Sequence, residues 1–126
     1  MPTVAHDRLQ NIGQALLVGA GASEAEAEIV ARHCIGANLA GHDSHGIITI
    51  PTYIDRVKKG HIVPGAPYEV EAESNSHMVV NGNWGFGYVV TDRTTRTLIE
   101  KARTSNVAAA TVYQPVSYTH LRDHET

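Results

Sequence analysis

The sequence predicts an α+β fold in which N-terminal helices are followed by a partial mixed or antiparallel sheet with a further helix. Apolar residues recur at helical spacing in the first half of the chain, and short β-branched runs follow between residues 68 and 113. A turn-rich segment, Val63–Pro67, separates the two patterns. We therefore expect a helical region over residues 1–62 and an α/β region over residues 63–114.

The first region should begin with two helices. Ser23 and Glu26 have the spacing of a capping box, which predicts a second helix over roughly residues 23–40. The preceding Gly19–Gly21 lacks the third glycine of a dinucleotide-binding fingerprint and follows a helix instead of a strand, so a Rossmann fold is not predicted. The first helix has an apolar face at helical spacing: Leu9, Ile12 and Leu16.

The segment Gly41–Gly46 places four polar residues between two helical patterns. Gly41 should end the second helix, because glycine readily adopts the left-handed conformation found after many helices. The third helix should begin between Gly46 and Pro51 and end at Gly60, after two lysines. The segment therefore lies at a junction of helices.

Local chemistry leaves two interpretations of this junction open. Asp43 or Ser44 could simply cap the third helix, with His45 incidental. Alternatively, His45 could be a catalytic imidazole, since histidine gives and takes protons near neutral pH. Metal ligation is disfavoured because His42, Asp43 and His45 contain no i,i+4 pair. A Ser-His-Asp triad is disfavoured because consecutive side chains point in different directions.

The second region should contain two strands, Tyr68–Ala72 and His77–Asn81, then a helix from near Gly87 through Lys101, then a buried-type strand, Val107–Tyr113. A glycine-rich turn precedes the helix. Its glycines could let backbone amides face a ligand, or they could serve only a tight turn and close packing. These glycines are Gly82, Gly85 and Gly87.

The stretch Ala37–Ile47, followed by Pro51 and Tyr53, resembles the signature of the malate/L-lactate dehydrogenase-type oxidoreductases, which are distinct from the Rossmann dehydrogenases. Val80–Val90 and Asn106–Ala110 resemble later elements of that family in the same order, so the similarity covers about residues 7–113. The resemblance implies reversible hydride transfer between NAD or NADP and a small 2-oxo or 2-hydroxy carboxylic acid.

The same resemblance implies roles for particular residues. His45 would be the catalytic proton donor or acceptor, with Ser44, Asp43 and Thr49 as substrate or support residues. Many members carry an arginine four residues after this histidine to hold the substrate carboxylate, whereas here the position is Thr49. The hydroxycarboxylate dehydrogenase branch also lacks that arginine, which implies a different pocket. Arg56 could replace it, although a solvated helix face is the favoured interpretation of Arg56.

Composition limits the remaining possibilities. A net charge of −3 argues against nucleic acid or an anionic membrane as partner, and no signal peptide or membrane span is evident. The single Cys34 excludes an intrachain disulfide, fits a reducing cytoplasm and should be buried. The family resemblance implies a homodimer at full length.

Residues 115–126 do not match the family and resemble translated sequencing-adapter sequence, so we interpret them as a non-native tail. The i,i+4 pair His120 and His124 is discounted for that reason. Most cofactor-binding residues would then lie beyond the truncation and stay unknown, and residues 1–126 alone should be inactive. The rival hypothesis is a non-enzymatic helical binding or interaction module.

Overall fold

The structure, a computed structural model, describes residues 2–115, and the chain divides into two compact units, residues 1–65 and 66–126. The predicted tail, with its two histidines, lies outside the described residues except for Pro115. The helices are α1 (His6–Gly19), α2 (Glu24–Leu39), α3 (Ile50–Lys58) and α4 (Gly87–Ser105). The strands are β1 (Glu69–Glu73), β2 (His77–Asn81) and β3 (Ala109–Tyr113), and two 3₁₀ turns, Asp43–His45 and Ile47–Thr49, precede α3.

The helix predicted from Leu9, Ile12 and Leu16 is confirmed, but two of these residues do not lie on its buried face. Ile12 and Leu16 are 44% and 49% exposed, whereas Gly13 and Leu17 are buried. A Cβ at Gly13 would lie 2.7 Å from Cδ1 of Ile50, so the glycine lets α1 approach the start of α3 closely. The side of α1 that carries Gly13 is therefore the buried one, because it approaches α3 closely. The side that carries Ile12 and Leu16 is exposed.

Glycines end all three helices of the first unit. Gly21, Gly41 and Gly60 have φ of 114°, 83° and 77°, the left-handed conformation that favours glycine. After α2, the amide of His42 donates to the carbonyl of Ala37 at 2.8 Å, the outer bond of a Schellman motif. The helix ends predicted from these glycines are confirmed.

The predicted capping box of α2 is also confirmed. Ser23 Oγ accepts a hydrogen bond from the Glu26 amide at 3.1 Å, and the Glu26 carboxylate accepts one from the Ser23 amide at 3.4 Å. The same carboxylate accepts the amide of Gly65 at 2.9 Å. Glu26 therefore fastens the end of the first unit to the start of α2.

We expect Ser23→Ala to lower the free energy of unfolding by about 1 kcal/mol, because the first turn of α2 loses an acceptor for its amides. Urea unfolding measures the change. Ser23→Thr keeps the acceptor and should stay within roughly 0.5 kcal/mol of the wild type. Equal losses in both variants would show that the cap does not stabilise the helix.

The second unit contains a three-stranded mixed sheet in the order β1-β2-β3. β1 and β2 are antiparallel, β2 and β3 are parallel, and α4 connects the parallel pair. Met78, Val80 and Val90 form its buried core, and α4 also buries Thr94. β3 begins at Ala109, two residues later than predicted. Val107 precedes the strand and is 72% exposed.

The α+β prediction without a Rossmann arrangement is thus confirmed. Among the helices of residues 2–115, none combines the length and apolarity needed to cross a bilayer.

Candidate active site

The segment between α2 and α3 presents His45 at the surface. His45 ends the first 3₁₀ turn and is exposed, as are His42, Asp43 and Ser44 before it. Ser44 Oγ lies 3.0 Å from Nδ1 of His45, within hydrogen-bond distance. The His42 and His45 rings meet edge to face, with centroids 6.4 Å apart. An imidazole accessible to a small molecule, with one ring nitrogen contacted by a hydroxyl, is suited to proton transfer.

Asp43 and Ser44 do not cap the third helix, so that interpretation of the motif is wrong. α3 begins at Ile50 with Thr49 as its N-cap residue, and no side chain caps it, while Pro51 lies in its first turn as predicted. Two 3₁₀ turns separate Asp43 and Ser44 from the helix. Asp43 and Ser44 therefore lie in a separate pair of 3₁₀ turns between α2 and α3.

Asn38, in the last turn of α2, joins the two 3₁₀ turns, a role that the sequence pattern did not indicate. Its Nδ2 donates to Asp43 Oδ1 at 2.8 Å, and its Oδ1 accepts the amide of Ile47 at 2.8 Å. A Cβ at Gly46 would lie 2.3 Å from three side-chain atoms of Asn38, so only glycine fits there. An amide side chain three residues before Gly41, in the last turn of the helix, was the available signal.

Thr49 is placed inside the first unit. It is 3% exposed, and its Oγ1 donates to the Gly46 carbonyl at 2.7 Å. Cys34 Sγ lies 3.5 Å from Thr49 Oγ1. The family resemblance implies that Thr49 either contacts substrate or supports the site. Its buried position favours support of the turn that carries His45.

Cys34 is fully buried, as predicted. Burial raises the pKa of its thiol, and the contact with Thr49 opposes that rise to a lesser degree. A thiol that stays protonated is a poor nucleophile, so the role of Cys34 is packing.

The solvated-face interpretation of Arg56 is wrong. Arg56 is 4% exposed and lies on the buried face of α3 with Ile50 and Tyr53. The exposed face carries Asp55, whose carboxylate pairs with Lys59 at 2.8 Å. That hydrogen bond lowers the pKa of Asp55. A contact between Arg56 and a substrate carboxylate stays a prediction.

The glycine-rich turn before α4 packs and hydrogen-bonds within the second unit. A Cβ at Gly82 would lie 3.0 Å from the Gln114 carbonyl, which explains the glycine by close packing. Each amide from residue 82 to residue 85 donates to an acceptor within the protein. The donors and acceptors are Gly82 to Tyr113 O (2.9 Å), Asn83 to Asn81 Oδ1 (2.9 Å), Trp84 to Gln114 O (2.8 Å) and Gly85 to Gly82 O (2.9 Å). A ligand-facing role for the amides at the start of α4 stays a prediction.

Over residues 2–115, the structure brings together no group of three or more His, Cys, Asp and Glu side chains that could hold a metal ion.

Known proteins resemble this chain over most of its length. Hydroxycarboxylate dehydrogenase B of Escherichia coli O157:H7 is 36% identical over 105 residues, which cover 83% of this chain and 29% of that protein. L-sulfolactate dehydrogenase of Methanothermobacter thermautotrophicus is 36% identical over 98 residues, covering 78% and 29%. The solved malate dehydrogenase of Pyrococcus horikoshii OT3 superposes with a TM-score of 0.90 at 28% identity, covering 93% and 34%.

The chain therefore spans about three tenths of the length of the curated relatives that it matches. The family pattern of the malate/L-lactate dehydrogenases matches residues 4–122, further than the end near residue 113 inferred from the motifs. The match includes part of the segment interpreted as a non-native tail, whose origin stays a prediction. Since the pattern covers nearly the whole described chain and the relatives agree in fold, this chain belongs to the malate/L-lactate dehydrogenase family.

Proposed function

We propose that the protein containing this chain is an oxidoreductase that interconverts 2-hydroxy and 2-oxo carboxylic acids with a nicotinamide cofactor. The exposed His45, held on its own turn between α2 and α3, is the observation that carries the proposal. The names of the relatives support the substrate class, since hydroxycarboxylates, malate and sulfolactate share a hydroxyl beside a carboxylate. Hydroxycarboxylates of this kind are the proposed substrates.

His45 acts as the general acid and base. When a 2-oxo acid is reduced, the imidazolium donates a proton to the carbonyl oxygen as negative charge develops there. In the reverse direction the neutral ring removes the proton from the hydroxyl. The hydroxyl of Ser44 at Nδ1 orients the ring, so that the other edge of the ring serves the substrate. Asp43 supports the turn through Asn38.

NAD or NADP, when bound, supplies or accepts the hydride. The residues that bind the cofactor stay unknown, and the amides at 82–85 donate to protein acceptors. The proposal extends to a homodimer and a cytoplasmic location. The buried thiol of Cys34 supports a reducing compartment.

The test is reduction of 2-oxo acids by the full-length protein, followed by loss of NADH or NADPH absorbance. We expect turnover with a 2-oxo acid such as 2-oxobutanoate and none with butanone, which has the same chain without the carboxylate. A folded protein that reduces no 2-oxo acid with either cofactor would overturn the proposal. Such a result would favour the helical interaction module instead.

A further inference from the structure

We infer that Asn38 is a positioning residue for His45, an inference that rests on the proposed function. Asp43 and Ile47 lie two residues before and two residues after His45. Asn38 contacts both of them from the neighbouring helix, each at 2.8 Å. One side chain thus fixes both ends of the five-residue segment that carries the proposed acid.

Other bonds also shape the segment. The His45 amide donates to the His42 carbonyl at 3.0 Å, and the Gly46 amide to the Asp43 carbonyl at 3.0 Å, which closes the first 3₁₀ turn on itself. Thr49 Oγ1 holds the Gly46 carbonyl from the other side at 2.7 Å. These bonds shape the turns. The bonds to Asn38 attach the segment itself to α2, between the His42 amide, which donates to the Ala37 carbonyl, and Thr49, which contacts Cys34.

The amide of asparagine suits this position because it offers one donor and one acceptor. The Asp43 carboxylate needs a donor, and the Ile47 amide needs an acceptor. An aspartate at position 38 would keep the acceptor but face Asp43 with a second carboxylate. An alanine would remove both bonds. The contact is therefore a matched pair whose two halves can be exchanged.

That exchange gives the test in the full-length protein. Asn38→Asp should lower kcat for 2-oxo acid reduction by roughly 10–100-fold, since a small displacement of a catalytic group is costly. The KM for NAD(P)H should change by less than about threefold, because the proposed role of His45 is proton transfer at the carbonyl oxygen of the substrate. The double variant Asn38→Asp/Asp43→Asn restores a donor and acceptor pair and should return kcat to within about threefold of the wild type.

Asn11→Asp, on the exposed face of α1, is the matched control for the added charge and should leave kcat unchanged. A double variant no more active than Asn38→Asp would overturn the positioning role, as would an Asn38→Ala variant with wild-type kcat. Hydrogen exchange of the Ile47 amide supplies a readout that is independent of activity. Exchange should accelerate in Asn38→Ala and stay slow in the double variant.

This second readout separates the two proposals. The wild-type protein could reduce no 2-oxo acid while Ile47 exchange is fast in Asn38→Ala and slow in the double variant. The proposed function then fails, but the clamp, meaning the two bonds from Asn38 to Asp43 and Ile47, stands. If the protein is active but Ile47 exchange does not respond to Asn38→Ala, the clamp fails and the proposed function stands.

Discussion

Replacing His45 with alanine in the full-length protein is expected to lower kcat for 2-oxo acid reduction by roughly 10²–10⁴, the usual contribution of a general acid. The developing alkoxide then has to take its proton from water. The affinity for NAD(P)H should change little, because the ring serves the reacting carbonyl. The measurement is steady-state kinetics combined with cofactor titration by fluorescence.

His42→Ala is the matched control. His42 is also exposed, and its ring centroid lies 6.4 Å from that of His45, so its removal changes the same surface without removing the proposed acid. We expect its kcat to stay within about threefold of the wild type. A large loss in His42→Ala with near wild-type activity in His45→Ala would transfer the catalytic role to His42.

Replacing Thr49 with arginine is expected to destabilise the protein by about 3–5 kcal/mol, because it buries a charge in a site shaped for a small hydroxyl. Thr49 is 3% exposed, and its hydroxyl holds the Gly46 carbonyl beside Cys34. The family resemblance alone suggested that residue 49 lies in the substrate pocket, where many members carry an arginine. Urea unfolding measures the loss, and soluble yield should fall with it.

Ile48→Arg is the control for this change. Ile48 precedes Thr49 and is 70% exposed, so the same side chain placed there should alter stability by less than about 0.5 kcal/mol. If Thr49→Arg is instead as stable as the wild type and favours a dicarboxylate such as oxaloacetate over a monocarboxylate, residue 49 faces the substrate. The support role of Thr49 would then be wrong.

Local signals were sufficient for much of this fold. The capping box of Ser23 and Glu26 and the glycines after the first three helices identify helix ends, since these motifs act within a few residues of the chain. The motif around His45 was found in the same way, because its polar residues and glycines are contiguous. Burial was harder to predict. The apolar stripe of α1 proved exposed, and the cationic Arg56 proved buried.

The sequence by itself therefore determined the α+β class, the family and the histidine proposed for catalysis, because each depends on neighbouring residues or on a contiguous motif. Only the tertiary structure decided what surrounds that histidine. Asn38 meets Ile47 across nine positions, and Cys34 meets Thr49 across fifteen. Such contacts depend on how α2 packs against the following turns, and hydrophobic spacing within one helix does not encode the choice of partner.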